Sequence, residues 1–330
     1  MARSHLTLAA LATSAVPGLD VAAAQSIGSG VHGDFEAALI AGVDGKHWII
    51  RIPTSERAEA EQSADLVALR ALSAGVRSRL PFSASGFAGQ VPVAGTRAVV
   101  YEFVHGNKVA LGDLAAGGNL ANSIGQAIAA IHTLPTSFIA DAGLPVLTPV
   151  ETLRNTVTIM DRASATGLVP ASLLGRWEGA AEDSALWQFA PTVINGSLSA
   201  DSLLAEEEQV SGILGWQTLS VGDPARDLFW VLGAPDADVA DTVIDAYQQS
   251  RGSSDRQIGR RARLYAELEI AKWLLHGTEE RSTVIVDDAV AMLHGLVDTV
   301  HQDLNTSLSH NTMPIMAVDE VEAMLNQRGA

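Results

Sequence analysis

The stretch PTVINGSLSADSLL, Pro191 to Leu204, has the build of a loop that carries chemistry. Thr192, Val193 and Ile194 read as a short strand, Asn195-Gly196 as a tight turn, and Leu203-Leu204 as a returning apolar run. Between them lie Ser197, Ser202 and one carboxylate, Asp201. A hydroxyl has no basic form near neutral pH, so neither serine can take a proton from an attacking group. Asp201 is therefore the one candidate acid inside the loop. Glu206, Glu207 and Glu208 follow the next apolar run and read as a solvated hairpin tip.

Two other stretches could meet phosphates. IGSGVHG, Ile27 to Gly33, holds the spacing Gly28-x-Gly30-x-x-Gly33. In a dinucleotide fold this pattern links a strand to a helix, with an acid some distance on. Here it leads into a hairpin, which suits a glycine-rich turn over nucleotide phosphates, or a plain flexible turn. HWIIRIP, His47 to Pro53, is a buried-type strand with Arg51 inside it. An arginine there can hold phosphates and pair with an acid on the next helix, where Asp65 is the first candidate and Glu61 the second. The competing reading is an arginine snorkelling along an edge face.

These residues need a scaffold. Strands are expected over Ala24 to Ile27, Phe35 to Ala41 and His47 to Ile52, with Asp44-Gly45 as a hairpin turn. A helix with mixed charges follows, Ser55 to Leu72, then strands near Phe87 to Val91 and Arg97 to Val104. After Val104 the pattern turns helical: Leu120 to Leu134, two helices before the loop, then Pro224 to Leu232, Asp236 to Gln249, Asp255 to His276 and Ser282 to Leu304. A second hairpin, Leu203 to Trp216, interrupts them. The tail from Ser307 to Ala330 carries one amphipathic segment, Val318 to Leu325.

Composition removes several classes of function. The chain has 330 residues, 47% hydrophobic, no cysteine, and a formal charge of −17. Disulfides and thiolate sites are excluded. Three lysines and a scattered set of arginines make no nucleic-acid surface. GRRARLY, Gly259 to Tyr265, is the densest basic patch, and its neighbours Glu267 and Glu269 suggest a solvated helix face. No apolar run reaches the ~18 residues of a membrane span. The nine histidines form no metal-type pair. The first residues resemble a secretion signal ending near AAAQ, Ala22 to Gln25, but Thr7, Thr13 and Ser14 dilute the apolar stretch and Pro17 and Asp20 break it. A first helix, Leu6 to Val16, is the expectation, with a cytoplasmic protein as its consequence.

Taken together, HWIIRIP, AVVYEFVHG (Ala98 to Gly106), IGQAIAAIHTLP (Ile124 to Pro135), RWEGAAEDSALWQFAPTVINGSL (Arg176 to Leu198) and VSGILGWQTLSVGDPARDL (Val210 to Leu228) resemble the aminoglycoside and macrolide phosphotransferase family, nearest its macrolide branch. The likeness runs from about Thr7 to His301. It implies an α+β, bilobal protein-kinase-like fold. The small sheet lobe with one main helix would be residues 1–104, the helical lobe 105–305, and 306–330 a peripheral tail. The hinge would span Glu102 to Gly106, where Tyr101, Phe103 and the backbone around them would meet a nucleobase.

The departures from the family pattern fall on the chemistry. The family's His-Gly-Asp-Leu, three residues, then Asn, lies on Asn195, Gly196, Ser197, Leu198 and Ser202. Ser197 stands at the position of the general base and Ser202 at a metal ligand. The family's Ile-Asp-Trp reads Leu214-Gly215-Trp216, so Gly215 replaces the second metal ligand. Asp223-Pro224 still suits a helix start, and Arg226 and Asp227 suit helix-surface or loop-anchoring contacts. The expectation is a catalytically degenerate pseudokinase that binds a small-molecule ligand or a protein partner. It would bind ATP or GTP weakly through Gly28, Gly30, Arg51 and the hinge, and without Mg²⁺. Nucleic acid and membrane are not expected partners. The alternative is an active ATP- or GTP-dependent phosphotransferase acting on a hydroxyl of a small molecule such as a macrolide, with Asp201 as a displaced acid.

Overall fold

In the computed structural model, described for residues 3–28, 33–252 and 255–302, the chain runs as follows. Helix α1 (His5–Ala15) precedes strands β1 (Val21–Ile27), β2 (Phe35–Gly42) and β3 (His47–Pro53). Helices α2 (Glu56–Ala71) and α3 (Ala74–Arg77) come next, then β4 (Ser83–Ala84), β5 (Phe87–Val93), β6 (Thr96–Glu102) and β7 (Asn107–Lys108). Helices α4 (Asn119–His132), α5 (Ser137–Asp141), α6 (Pro149–Ala165) and α7 (Ala171–Glu182) follow. Strands β8 (Thr192–Ile194), β9 (Leu203–Glu206), β10 (Gln209–Ile213) and β11 (Ser220–Gly222) lead into α8 (Ala237–Arg251), α9 (Ile258–Glu279) and α10 (Thr283–Gln302). No helix among the described residues is long and apolar enough to cross a membrane.

Contacts divide the chain into two units. The first comprises Met1–Thr152 and Phe189–Arg263, the second Leu153–Gln188 and Leu264–Ala330. The first holds an antiparallel sheet in the order β1-β2-β3-β6-β5. Alternation along the strands puts Ala38, Ile40, Trp48, Ile50, Ile52, Ala98 and Val100 on one face, where they pack against Leu8, Ala9, Ala12 and Ala15 of α1. A helix built from small residues can lie this close. At Gly89 any Cβ would stand 2.0 Å from the Ala15 carbonyl oxygen, so only glycine lets β5 pass under α1. The N-terminal segment is thus a helix on the sheet, as expected for Leu6 to Val16.

A second sheet, in the order β4-β10-β9-β7, shares this unit. β4 pairs in parallel with β10, so the chain meets the second sheet once before β5 and β6 are laid down. After β6 it leaves the first sheet at Phe103, turns at Gly106 (φ +134°) and enters β7. The strand expected to reach Val104 ends at Glu102, and the Phe103 N–H makes one further in-register bond to the His47 carbonyl at 3.1 Å. The β9–β10 hairpin turns through Glu207 (φ +49°) and Glu208 (φ +61°), both exposed and both in the left-handed region.

The basic patch at Gly259 to Tyr265 is not a solvated face. Arg261 is fully buried, its Nε donating to Asp223 Oδ2 at 2.8 Å and its Nη2 to Asp255 Oδ2 at 2.6 Å, with Phe189 beneath it at 4.7 Å. Two carboxylates compensate the buried charge, a partnership that sequence neighbours Glu267 and Glu269 conceal. In the second unit Glu267 belongs to another buried set. It accepts from Arg176 Nη2 at 2.8 Å and from Trp177 Nε1 at 2.9 Å.

Candidate active site

β8 is buried and pairs with β11 through Ile194↔Ser220, Val193↔Val221 and Thr192↔Gly222. The loop that leaves it is clamped by one carboxylate. Asp227 Oδ2 accepts the Asn195 N–H at 2.7 Å and Oδ1 the Gly196 N–H at 2.7 Å. His132 Nε2 lies 3.1 Å from Oδ2, and its Nδ1 lies 2.9 Å from the Tyr247 hydroxyl. With a carboxylate facing it, Nε2 carries a proton toward Asp227. Burial raises the Tyr247 hydroxyl above its ordinary pKa, so it stays a donor. Asp223 accepts from Ala225 N at 2.9 Å and starts the 3₁₀ turn Pro224–Asp227 that presents Asp227. The loop-anchoring role read for Asp227 and the helix-start role of Asp223-Pro224 are both realised. His132, Tyr247 and Thr218 were not singled out from sequence. His132 was the one signal, a polar residue that ends the apolar run Ala127 to Ile131.

Gly196 (φ +86°) turns the loop, and a Cβ there would meet the Thr218 carbonyl at 2.8 Å. Ser197 follows. Its Oγ lies 3.3 Å from Asn195 Oδ1 and 2.8 Å from Thr218 Oγ1, which is itself 2.7 Å from the Asn195 carbonyl. Hydroxyls and an amide surround Ser197, and none is a base. Ser202 Oγ donates to the Ser199 carbonyl at 2.7 Å and accepts the Ser199 N–H at 3.0 Å, a reciprocal cap that ties the hydroxyl to its own turn. Asp201, 69% exposed, faces Lys108 at 3.9 Å and joins none of these contacts.

Gly215 sits at φ +74° and its carbonyl accepts from Asn195 Nδ2 at 2.8 Å. A Cβ there would meet Gln217 Oε1 at 3.2 Å, so space exists for a short side chain but the backbone favours glycine. Among the described residues no group of three His, Asp or Glu is placed to hold a metal ion.

The phosphate-side residues behave differently from expectation. Arg51 and Asp65 form no ion pair. The Arg51 guanidinium lies over the Phe35 ring, 3.8 Å from its centroid, two residues along from its sheet partner Ala37. Asp65 Oδ1 instead accepts the Trp216 N–H at 2.8 Å, tying α2 to the residue after Gly215. Burial raises the Asp65 carboxyl above the usual range, opposed by the Trp216 hydrogen bond and the Arg51 charge. Glu61 pairs with Arg57 at 3.1 Å. Gly28 directly follows β1, while Gly30 lies outside the described residues.

At the expected hinge, Tyr101 is buried and its hydroxyl is held well above its ordinary pKa by burial and by Asp65. Phe103 packs edge-on to His105 at 4.8 Å and tilted to His47 at 6.0 Å. Glu102 N–H goes to the Gly86 carbonyl at 2.8 Å and Phe103 N–H to His47. Val104, buried, has no acceptor for its N–H among the described residues.

A family model described as "Phosphotransferase enzyme family" matches residues 26–266. The uncharacterised protein YcbJ of Bacillus subtilis (strain 168) is 22% identical over 208 residues, covering 59% of this chain and 65% of its own length, slightly under two thirds. Among solved structures, macrolide 2'-phosphotransferase MphH from Brachybacterium faecium, as apoenzyme, matches with TM-score 0.73 at 20% identity, over 88% of this chain and 98% of that one. The GDP and kanamycin complex of APH(2")-IIia matches with TM-score 0.72 at 18% identity, over 89% and 99% of the two chains. These structures share the antiparallel sheet followed by helices, the kinase-like α+β fold. With residues 26–266 matched by that family model, the chain belongs to the phosphotransferase enzyme family.

Proposed function

We propose that this chain is a pseudokinase of the phosphotransferase family: it keeps the hinge that recognises a nucleobase and has lost the groups that transfer phosphate. The observation that carries this reading is the state of the loop. Ser197, at the family's base position, is ringed by Asn195 and Thr218, and Ser202 is closed on Ser199. The side chains at the two metal positions fit a metal ion poorly: Ser202 offers only a neutral hydroxyl already tied to Ser199, and Gly215 has no side chain. Phosphoryl transfer depends on positioning and on metal ions that neutralise developing charge. Asp201 would need a second and third ligand, and its nearest partner is a lysine.

The base side fits its ligand better. The free Val104 N–H supplies a donor at the hinge, and the Phe103 ring an apolar wall. The related proteins solved with GDP or ADP support nucleotide as the ligand class. Nucleotide binding here is weak and independent of Mg²⁺, and the retained cleft serves a small molecule or a protein partner. The test is transfer of labelled γ-phosphate from ATP and GTP to erythromycin and kanamycin in the presence of Mg²⁺. No transfer above the protein-free rate is the predicted result. Turnover of either acceptor would establish an active enzyme.

A further inference from the structure

Helix α10 carries more apolar surface than its neighbours cover. At about 100° per residue, its apolar side chains occupy roughly two thirds of its circumference, interrupted by Asp288 and Thr299. Only Ala289 and Leu293 are buried among its described residues. α10 is seated on α9 near Gly277, where any Cβ would lie 2.8 Å from Ile285 Cγ2, and Asp288 Oδ2 accepts from Trp273 Nε1 at 2.8 Å. Beside this seat Val286, Val290 and Val297 are only half-buried, while Trp273, Val284 and Met292 are 37%, 77% and 47% exposed. An apolar surface spread this far around a helix is the mark of one that is packed on several sides.

The chain's own continuation supplies a matching surface. In residues 318–325 the helical spacing puts Val318, Val321, Met324 and Leu325 on one side and Asp319, Glu320 and Glu322 on the other. A helix this short is marginal in water by itself and needs a surface to form on. Residues 303–317, which lead to it from α10, can span up to roughly 50 Å, against about 30 Å for the whole length of α10. We propose that residues 318–325 fold back as a helix onto the exposed apolar face of α10 and Trp273, with their acidic side toward water. A second copy of the chain is the competing occupant. It would bring another −17 of charge against the first, whereas the tether holds the segment at an effective concentration on the order of millimolar.

Amide hydrogen exchange of the full chain, followed by mass spectrometry without nucleotide, tests this independently of the reading of the cleft. Residues 318–325 should exchange at least about tenfold more slowly than a free peptide of the same sequence. Met292→Asp on α10 and Val321→Asp in the segment should each return it to the free-peptide rate, while amides of β2, β3 and β6 keep theirs. Val321→Asp leaves α10 itself unaltered, so its result stands even where Met292→Asp disturbs that helix. Free-peptide exchange in the parent chain overturns the proposal, and so does protection that survives Val321→Asp. Protection that falls on dilution, with light scattering giving twice the chain mass, overturns it in favour of a second copy.

Discussion

Asp227 and Asp65 show how acids in this loop region have become structural. Asp227 is committed to two backbone N–H groups and His132, and Asp65 to Trp216. Asp65 also gives a pH prediction. Its carboxyl is raised by burial, so the folded state holds that proton more tightly than the unfolded state. Its contribution is full below the ordinary carboxylate range and is lost as pH rises through the raised value. Asp65→Asn, which keeps an acceptor for Trp216, should match or exceed the parent in stability at pH 7, with the difference shrinking toward pH ~4. Asp65→Ala should lose about 1–2 kcal/mol because the Trp216 N–H is left unpaired. Denaturant titrations at several pH values check both. At Ser197, Ser197→Asp alone should give no phosphate transfer. A base contributes roughly 10²–10⁴ in rate, but only where a metal already neutralises the phosphates. Adding Ser202→Asn and Gly215→Asp is predicted to restore measurable transfer, and full activity from the single change would mean Asp201 already serves as a ligand.

At the level of elements, the β9–β10 hairpin carries avoidable strain. Glu207 and Glu208 occupy the left-handed region that asparagine and glycine adopt at little cost. Glu207→Asn with Glu208→Gly should stabilise the protein by about 1 kcal/mol, read as a shift in the urea midpoint at unchanged slope. The exposed Asn119–Glu208 hydrogen bond is too solvated to offset this. The strands and α2 were legible in sequence because alternation, the Asp44-Gly45 turn and the Ser55 cap are local signals. The family motifs located the loop for the same reason. What stayed hidden were contacts joining distant segments. Arg261 looked solvated because its partners Asp223 and Asp255 are loop residues. Arg51 was paired with Asp65 on paper because sequence cannot show that Phe35 and Trp216 compete for the two. Arg77, whose guanidinium binds the carbonyls of Leu69, Leu72, Ala84 and Ser85 and so joins α2 to β4, carries no local signature at all.

For the whole molecule, charge and architecture pull in different directions. On the proposed reading the expected hinge offers a base the Val104 N–H, while the chain carries −17 and Gly215 offers no side chain to a metal ion. A triphosphate entering without neutralisation meets long-range repulsion that salt only partly screens. Recognition should therefore rest on the base and change little with the number of phosphates. The most direct test is calorimetry of ATP and GTP binding to the full chain, with Mg²⁺ and again with a chelator. Weak binding of equal strength in both conditions is the predicted result. Tight binding that disappears with the chelator would contradict it and make the protein a metal-dependent phosphotransferase.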